Sequence, residues 1–165
     1  MTTFHVAALW RYPVKTLAGE QLTTAEIGPE GIVGDRRVWV CGPEAVRTSR
    51  RHHRLLGLKG TLNADSYPLI NGRRWDSPEA LALVQDAAGS DAWLEESDGL
   101  NRFDVLPLLV ATDGAVAALA GMCGDFVRTF SSAAWRGSLN VRGRVRNCSS
   151  ATSSSGSIRC AAAAR

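Results

Sequence analysis

A small antiparallel β-barrel with a few helices, mainly β within an α+β chain, is the fold class this sequence predicts. Three observations predict it. Short apolar or alternating runs recur through residue 62, turn-forming residues separate them, and no helical period interrupts them. A helical pattern begins only after the Asp76-Ser77-Pro78 stretch, and a second one follows an apolar run that starts at Phe103.

Residues 6–10 (Val-Ala-Ala-Leu-Trp) are long enough for one buried strand. Pro13 has no N–H to give a ladder, so that strand ends there or turns to an edge. Residues 22–27 alternate as a strand and close on the turn residues Gly28, Pro29, Glu30 and Gly31. The next strand, residues 37–41, stops at Gly42-Pro43, and residues 46–49 are expected to pair back on it as a hairpin. Residues 55–62 complete the series as a strand whose glycines fit bends in a small barrel.

The pattern then changes. Ser77 is a helix N-cap with Pro78 in the first helical position, and the helix is expected to run to Ala88 and stop at Gly89. Leu81 and Val84 supply its apolar stripe. Residues 92–95 read as a strand and Asp98-Gly99 as a turn. Residues 103–112 read as an apolar strand ending in Thr112, which caps a helix over residues 115–120 before Gly121.

Bulk properties narrow the class. With 165 residues the chain can hold one domain with a sizeable core, and no apolar run approaches the roughly 20 residues of a membrane-spanning helix. The N-terminus lacks the basic flank and long apolar region of a signal peptide, so neither a membrane nor secretion is expected. Cys41, Cys123, Cys148 and Cys160 form no CxxC pair. Neither zinc nor a disulfide framework is indicated, and a reducing cytoplasm is the expected location.

The net charge of +3 hides two populations. Through Phe126 there are 12 Lys and Arg against 16 Asp and Glu, or −4, whereas seven Arg and no acid follow, or +7. Arg47, Arg50, Arg51, His52, His53 and Arg54 form the one dense basic cluster of the body. No nucleic-acid motif accompanies it and the body is acidic, so a solvated loop is expected rather than a nucleic-acid face. No P-loop, nucleophile elbow or dinucleotide fingerprint appears.

Lys15 and Thr16 leave the first strand side by side, a mobile point charge beside a short hydroxyl donor. That pairing suits an oxyanion such as phosphate. Gly31 and Gly34 permit backbone angles closed to other residues, and Asp35 can orient a neighbouring guanidinium. In order, Tyr12-Pro13-Val14-Lys15-Thr16-x-x-Gly19-Glu20, Gly31-Ile32-x-Gly34-Asp35-Arg36 and Thr48-Ser49-Arg50 resemble MOSC proteins. That family takes its name from the C-terminal domain of molybdenum cofactor sulfurase and includes the mitochondrial amidoxime-reducing component. The resemblance covers residues 6 to about 126.

The resemblance implies an N-terminal β-barrel domain over residues 1–100, with its helix at 78–88, and the start of a MOSC domain at 101–126. It also implies a molybdenum-bearing pyranopterin cofactor whose phosphate is met by Lys15, Thr16 (Ser is usual there) and Arg36, with Arg50 as a further anion contact. The implied chemistry is reduction of N-hydroxylated substrates or sulfur transfer, with an electron-transfer partner protein. The metal-ligating Cys of the family lies beyond Phe126. Cys148 and Cys160 do not map onto it, and Cys41 and Cys123 read as ordinary packing thiols. No catalytic residue and no metal ligand is therefore assigned.

Residues 127–165 form a basic Ser, Arg and Ala-rich tail that departs from the family. Only residues 138–146 alternate as a strand would. Serine codons of the TCN type, read one base early, become NTC, which encodes only Phe, Leu, Ile or Val. Read in that frame, GC-rich codons can give an Arg-Pro-Asp stretch and an aliphatic strand pattern, the aliphatic positions following from the serine codons whatever their third base. The tail is thus expected to be frameshifted, leaving a truncated and catalytically incompetent member. The competing expectation is a non-enzymatic β-barrel interaction module whose disordered basic tail binds anions or nucleic acid.

Overall fold

The computed structural model describes residues 6–97, 102–104, 106–123 and 156–159. Among them are strands β1 (Leu9–Arg11), β2 (Glu20–Leu22), β3 (Thr24–Gly28), β4 (Gly31–Ile32), β5 (Val38–Cys41), β6 (Gly60–Leu62), β7 (Pro68–Ile70), β8 (Arg73–Arg74), β9 (Trp93–Glu96) and β10 (Gly156–Arg159). Helices α1 (Pro78–Ala88) and α2 (Asp113–Cys123) and a 3-10 turn at His53–Gly57 complete the set. The strands form four small sheets, and the registers that are defined are antiparallel. The predicted class, mainly β with a few helices, holds.

The chain divides into two units. The first draws on Met1–Trp10, Gln21–Val33 and Leu108–Arg165. Alternation along β3 turns Ala25 and Ile27 inward and leaves Thr24 and Glu26 exposed. These two pack with Val6, Leu9, Leu22, Ile32 and Leu108. The β3–β4 hairpin turns through Pro29 and Glu30, and Gly31 at φ 84° accepts a conformation that L side chains resist.

Two expectations for this unit need correction. β10 pairs antiparallel along β3, with Ser157 opposite Glu26 and Ile158 opposite Ala25. The sequence pattern did not reveal it, because main-chain pairing demands no side-chain period. The candidate strand at residues 138–146 and the turn at Asp98-Gly99 lie outside the described residues. Thr112 does cap α2, its Oγ1 accepting from Ala115 N at 3.2 Å. The helix continues through Gly121 to Cys123, since an interior glycine costs only about 1 kcal/mol relative to Ala.

The second unit comprises Arg11–Glu20 and Gly34–Pro107. Val38 and Val40 on β5 are fully buried with Val14, Leu17, Leu55, Ile70 and the inner face of α1. That face is Ala80, Val84 and Ala88, spaced at i, i+4 and i+8. The stripe therefore runs one position off the expected Leu81–Val84 line, and Leu81 is only half-buried. Ser77 caps the helix by accepting from Ala80 N at 3.2 Å, and Gly89 ends it at φ 111°.

Other differences have local causes. β5 takes β9 as its partner over four residues, from Val38 opposite Glu96 to Cys41 opposite Trp93. Residues 46–49 pair back only briefly, through the bridge from Cys41 to Val46 and the hydrogen bond from Arg47 N to Val40 O at 2.7 Å, while the Arg47 side chain reaches the end of α1. Residues 53–57 wind as a 3-10 turn, so only Gly60–Leu62 is strand. A 3-10 repeat of three places Leu55 and Leu58 on one side, and both enter the core.

The β7–β8 hairpin was unforeseen, although Asn71-Gly72 is the standard two-residue turn pair. Both residues have positive φ, 48° and 79°, as a type I′ turn requires. Residues 102–104 and 106–112 contain no strand. Pro107 removes a donor there, and Leu106, Leu109 and Val110 stay 69, 61 and 58 % exposed.

Two predictions test this framework. Ser77→Ala should lower stability to denaturant by about 1 kcal/mol while Ser77→Asp holds it; no loss in the Ala variant would contradict the cap. Asp76, hydrogen-bonded by Arg74 and the Tyr67 hydroxyl, has its carboxyl pulled down to about 2 from 3.8. Its contribution to stability is therefore present above the ordinary carboxylate range and fades as pH falls through about 2. An NMR titration should find that midpoint in the wild type and a higher one in Arg74→Ala; an ordinary wild-type midpoint would exclude the contact.

Candidate anion-binding site

Backbone hydrogen bonds hold two loops of the second unit together. Arg36 N donates to Tyr12 O at 2.7 Å, Val38 N to Pro13 O at 3.1 Å, and Lys15 N to Val38 O at 2.7 Å. Pro13 leaves the ladder for want of an N–H, yet its carbonyl is used. A further pair fixes the loop's far end: Ala18 N to Leu58 O at 2.9 Å and Gly60 N to Ala18 O at 2.7 Å.

Asp35 braces the junction from inside. Its Oδ1 accepts from Tyr12 N at 2.6 Å and its Oδ2 faces Arg36 Nη1 at 3.2 Å. Burial raises the Asp35 pKa above 3.8, with Arg36 the strongest opposing influence. Burial also pushes the Tyr12 phenol up to about 12. Arg36 is oriented further by Ser97, whose hydroxyl donates to the Arg36 carbonyl at 2.6 Å. Its guanidinium lies 5.4 Å from the centre of the Phe103 ring.

Two residues of this junction adopt backbone angles that are unusual for side-chain-bearing residues. Thr16 has φ 74° and Arg36 φ 50°. For a β-branched threonine the left-handed region is a steric outlier, costing about 1–3 kcal/mol and persisting only where its surroundings enforce it. Thr16 Oγ1 points back to the Arg47 carbonyl at 3.5 Å.

One of these cations is paired with a carboxylate distant in sequence. Lys15 Nζ meets Asp104 Oδ1 at 2.7 Å, across 89 residues of sequence. Asp104 is held below the usual carboxylate range, first by the Lys15 hydrogen bond and then by the charges of Lys15, Arg36 and Arg50. Lys15 and Arg36 thus share one electrostatic neighbourhood, with Arg50 exposed at its edge. Thr16 belongs to the same loop, but its hydroxyl is turned toward Arg47.

Sequence reasoning missed Asp104, Phe103 and Ser97. All three lie far along the chain from the loops they meet, and no local pattern marks them.

The basic cluster at residues 47–54 corrects another expectation, since it is not simply a solvated loop. Arg47 reaches the Ala88 carbonyl at the end of α1 and pairs with Asp91 at 2.5 Å. Side chains at Gly42 or Gly89 would collide with its guanidinium. Arg54 pairs with Asp86 at 2.5 Å and also donates to the Asp86 carbonyl at 2.8 Å. Cations at a helix C-terminus complement its dipole.

A metal end is harder to place. Among the described residues no group of three or more His, Cys, Asp or Glu is arranged to hold a metal ion. Cys41 is buried on β5 with Sγ 3.6 Å from Glu95 Oε2. Burial, aided by that carboxylate, pushes the thiol up to about 11, which disfavours the thiolate a soft metal needs. The described cations therefore suit a phosphate, and Cys41 is held as a thiol rather than a metal-binding thiolate. Among the described residues no helix is long and apolar enough to cross a membrane.

No curated protein sequence matches the chain. A family model for the MOSC N-terminal beta barrel domain does match, over residues 3–117, which takes in both loops of the cation cluster and Asp104. The chain belongs to the MOSC N-terminal beta barrel domain family.

Proposed function

We propose that this chain binds a phosphate-bearing pyranopterin molybdenum cofactor, with Lys15, Arg36 and Arg50 at the phosphate and Thr16 in the same loop, its hydroxyl reaching the phosphate only on leaving the Arg47 carbonyl. The observation that carries this reading is the ion pair of Lys15 with Asp104 at 2.7 Å, on a carboxylate that also feels the charges of Arg36 and Arg50. Family membership supports this class of cofactor over phosphate in general. Lys15 supplies an ammonium whose side chain is only 14 % exposed. Partial burial strengthens its attraction for an anion relative to a free surface lysine. Arg36 supplies a planar fork whose direction is set by Asp35 and Phe103.

When bound, molybdenum would supply two-electron redox chemistry toward N-hydroxylated substrates, or a site for sulfur carriage. This chain's own residues bind and orient the phosphate end. We assign them no catalytic step, and we propose that the chain is catalytically incompetent because residues after about 126 are read out of frame. An intact relative would take electrons from a partner protein in the cytoplasm.

Two measurements check this reading. The truncated chain is expected to hold the cofactor weakly at best, and any pterin that purifies with the wild-type protein should fall about tenfold in Lys15→Ala and in Arg36→Ala, the worth of one charge-assisted contact. Equal content in all three would contradict the site. Genomic sequence across codon 126 should restore the aliphatic strand pattern in the adjacent frame; codons that do not would refute the frameshift.

A further inference from the structure

Asp104 sits where an anion would be expected to sit. Its carboxylate is 80 % exposed, yet it reaches an ammonium whose side chain is 14 % exposed, at 2.7 Å. Arg36 and Arg50 add their fields at the same point, and together these hold the Asp104 carboxyl below its usual range. The residue lies outside every described strand and helix, so moving it away breaks no ladder. A carboxylate and a phosphate cannot share the Lys15 ammonium without like-charge repulsion.

Resting on the anion-site reading above, we propose that Asp104 is an internal plug, an intramolecular carboxylate that occupies the phosphate position and must withdraw before a phosphate group enters. Lys15 is then charge-compensated while the plug is seated, and affinity is reduced by the fraction of molecules in which the plug is seated. The competing role is that of a brace, in which Asp104 orients Lys15 for the ligand. The two roles predict opposite consequences of removing the carboxylate.

Inorganic phosphate binding, measured by calorimetry at fixed pH and ionic strength, separates them. Asp104→Asn and Asp104→Ala should each bind about fivefold more tightly than the wild type, as expected when an exposed pair of roughly 1 kcal/mol no longer competes. Asp65→Asn makes the same charge change on the exposed β6–β7 turn and should leave affinity unaltered. Equal or weaker binding in both Asp104 variants overturns the plug while leaving the anion site standing. Equal tightening in Asp65→Asn also overturns it, by reducing the effect to net charge. No binding by any of the four proteins overturns the plug and the anion site together.

Discussion

The lacing of two loops by three main-chain hydrogen bonds is the constraint on which the site depends. Arg36 N to Tyr12 O, Val38 N to Pro13 O and Lys15 N to Val38 O bring a lysine and an arginine together from segments about 20 residues apart. Each such bond contributes about 0.5–1.5 kcal/mol net. Together they are of the size needed to hold Thr16 and Arg36 in left-handed conformations that cost about 1–3 kcal/mol each. Asp35 adds to the lacing from the buried side, where its carboxylate takes the Tyr12 N–H and faces the Arg36 guanidinium.

This arrangement concentrates positive charge where solvent is partly excluded. Two like charges brought close repel, so a counter-anion is required for the cluster to be stable. Asp104 supplies that counter-charge to Lys15, while Asp35 supplies it to Arg36. The two carboxylates are not equivalent. Asp35 is buried and fixed within the fold, whereas Asp104 is exposed on a segment without ladder bonds. Only the second can yield its place to an incoming anion.

Local chemistry that acts over a few residues was legible in the sequence. Ser77 with Pro78 announced α1, Gly89 its end, and Thr112 the cap of α2. Gly28 to Gly31 announced a turn, and Gly31 and Gly34 took the positive angles expected of them. What was lost depended on partners distant in sequence. β5 could not announce β9 as its mate, and Leu55 and Leu58, read as strand residues, enter the core from a 3-10 turn and its exit instead. The Asn71-Gly72 hairpin was legible and went unread. At the site, Lys15 and Thr16 were legible as an ammonium beside a hydroxyl and Arg36 and Arg50 entered through the family motif, but Asp104, 89 residues beyond Lys15, was not legible.

The central claim is that Lys15 and Arg36 form one anion pocket. Side-chain 15N resonances of lysine and arginine, followed by NMR as inorganic phosphate is added, test it most directly. The account predicts that Lys15 Nζ and Arg36 Nε shift together along a single saturation curve. Shifts confined to one of them, or two curves with separate midpoints, would contradict it.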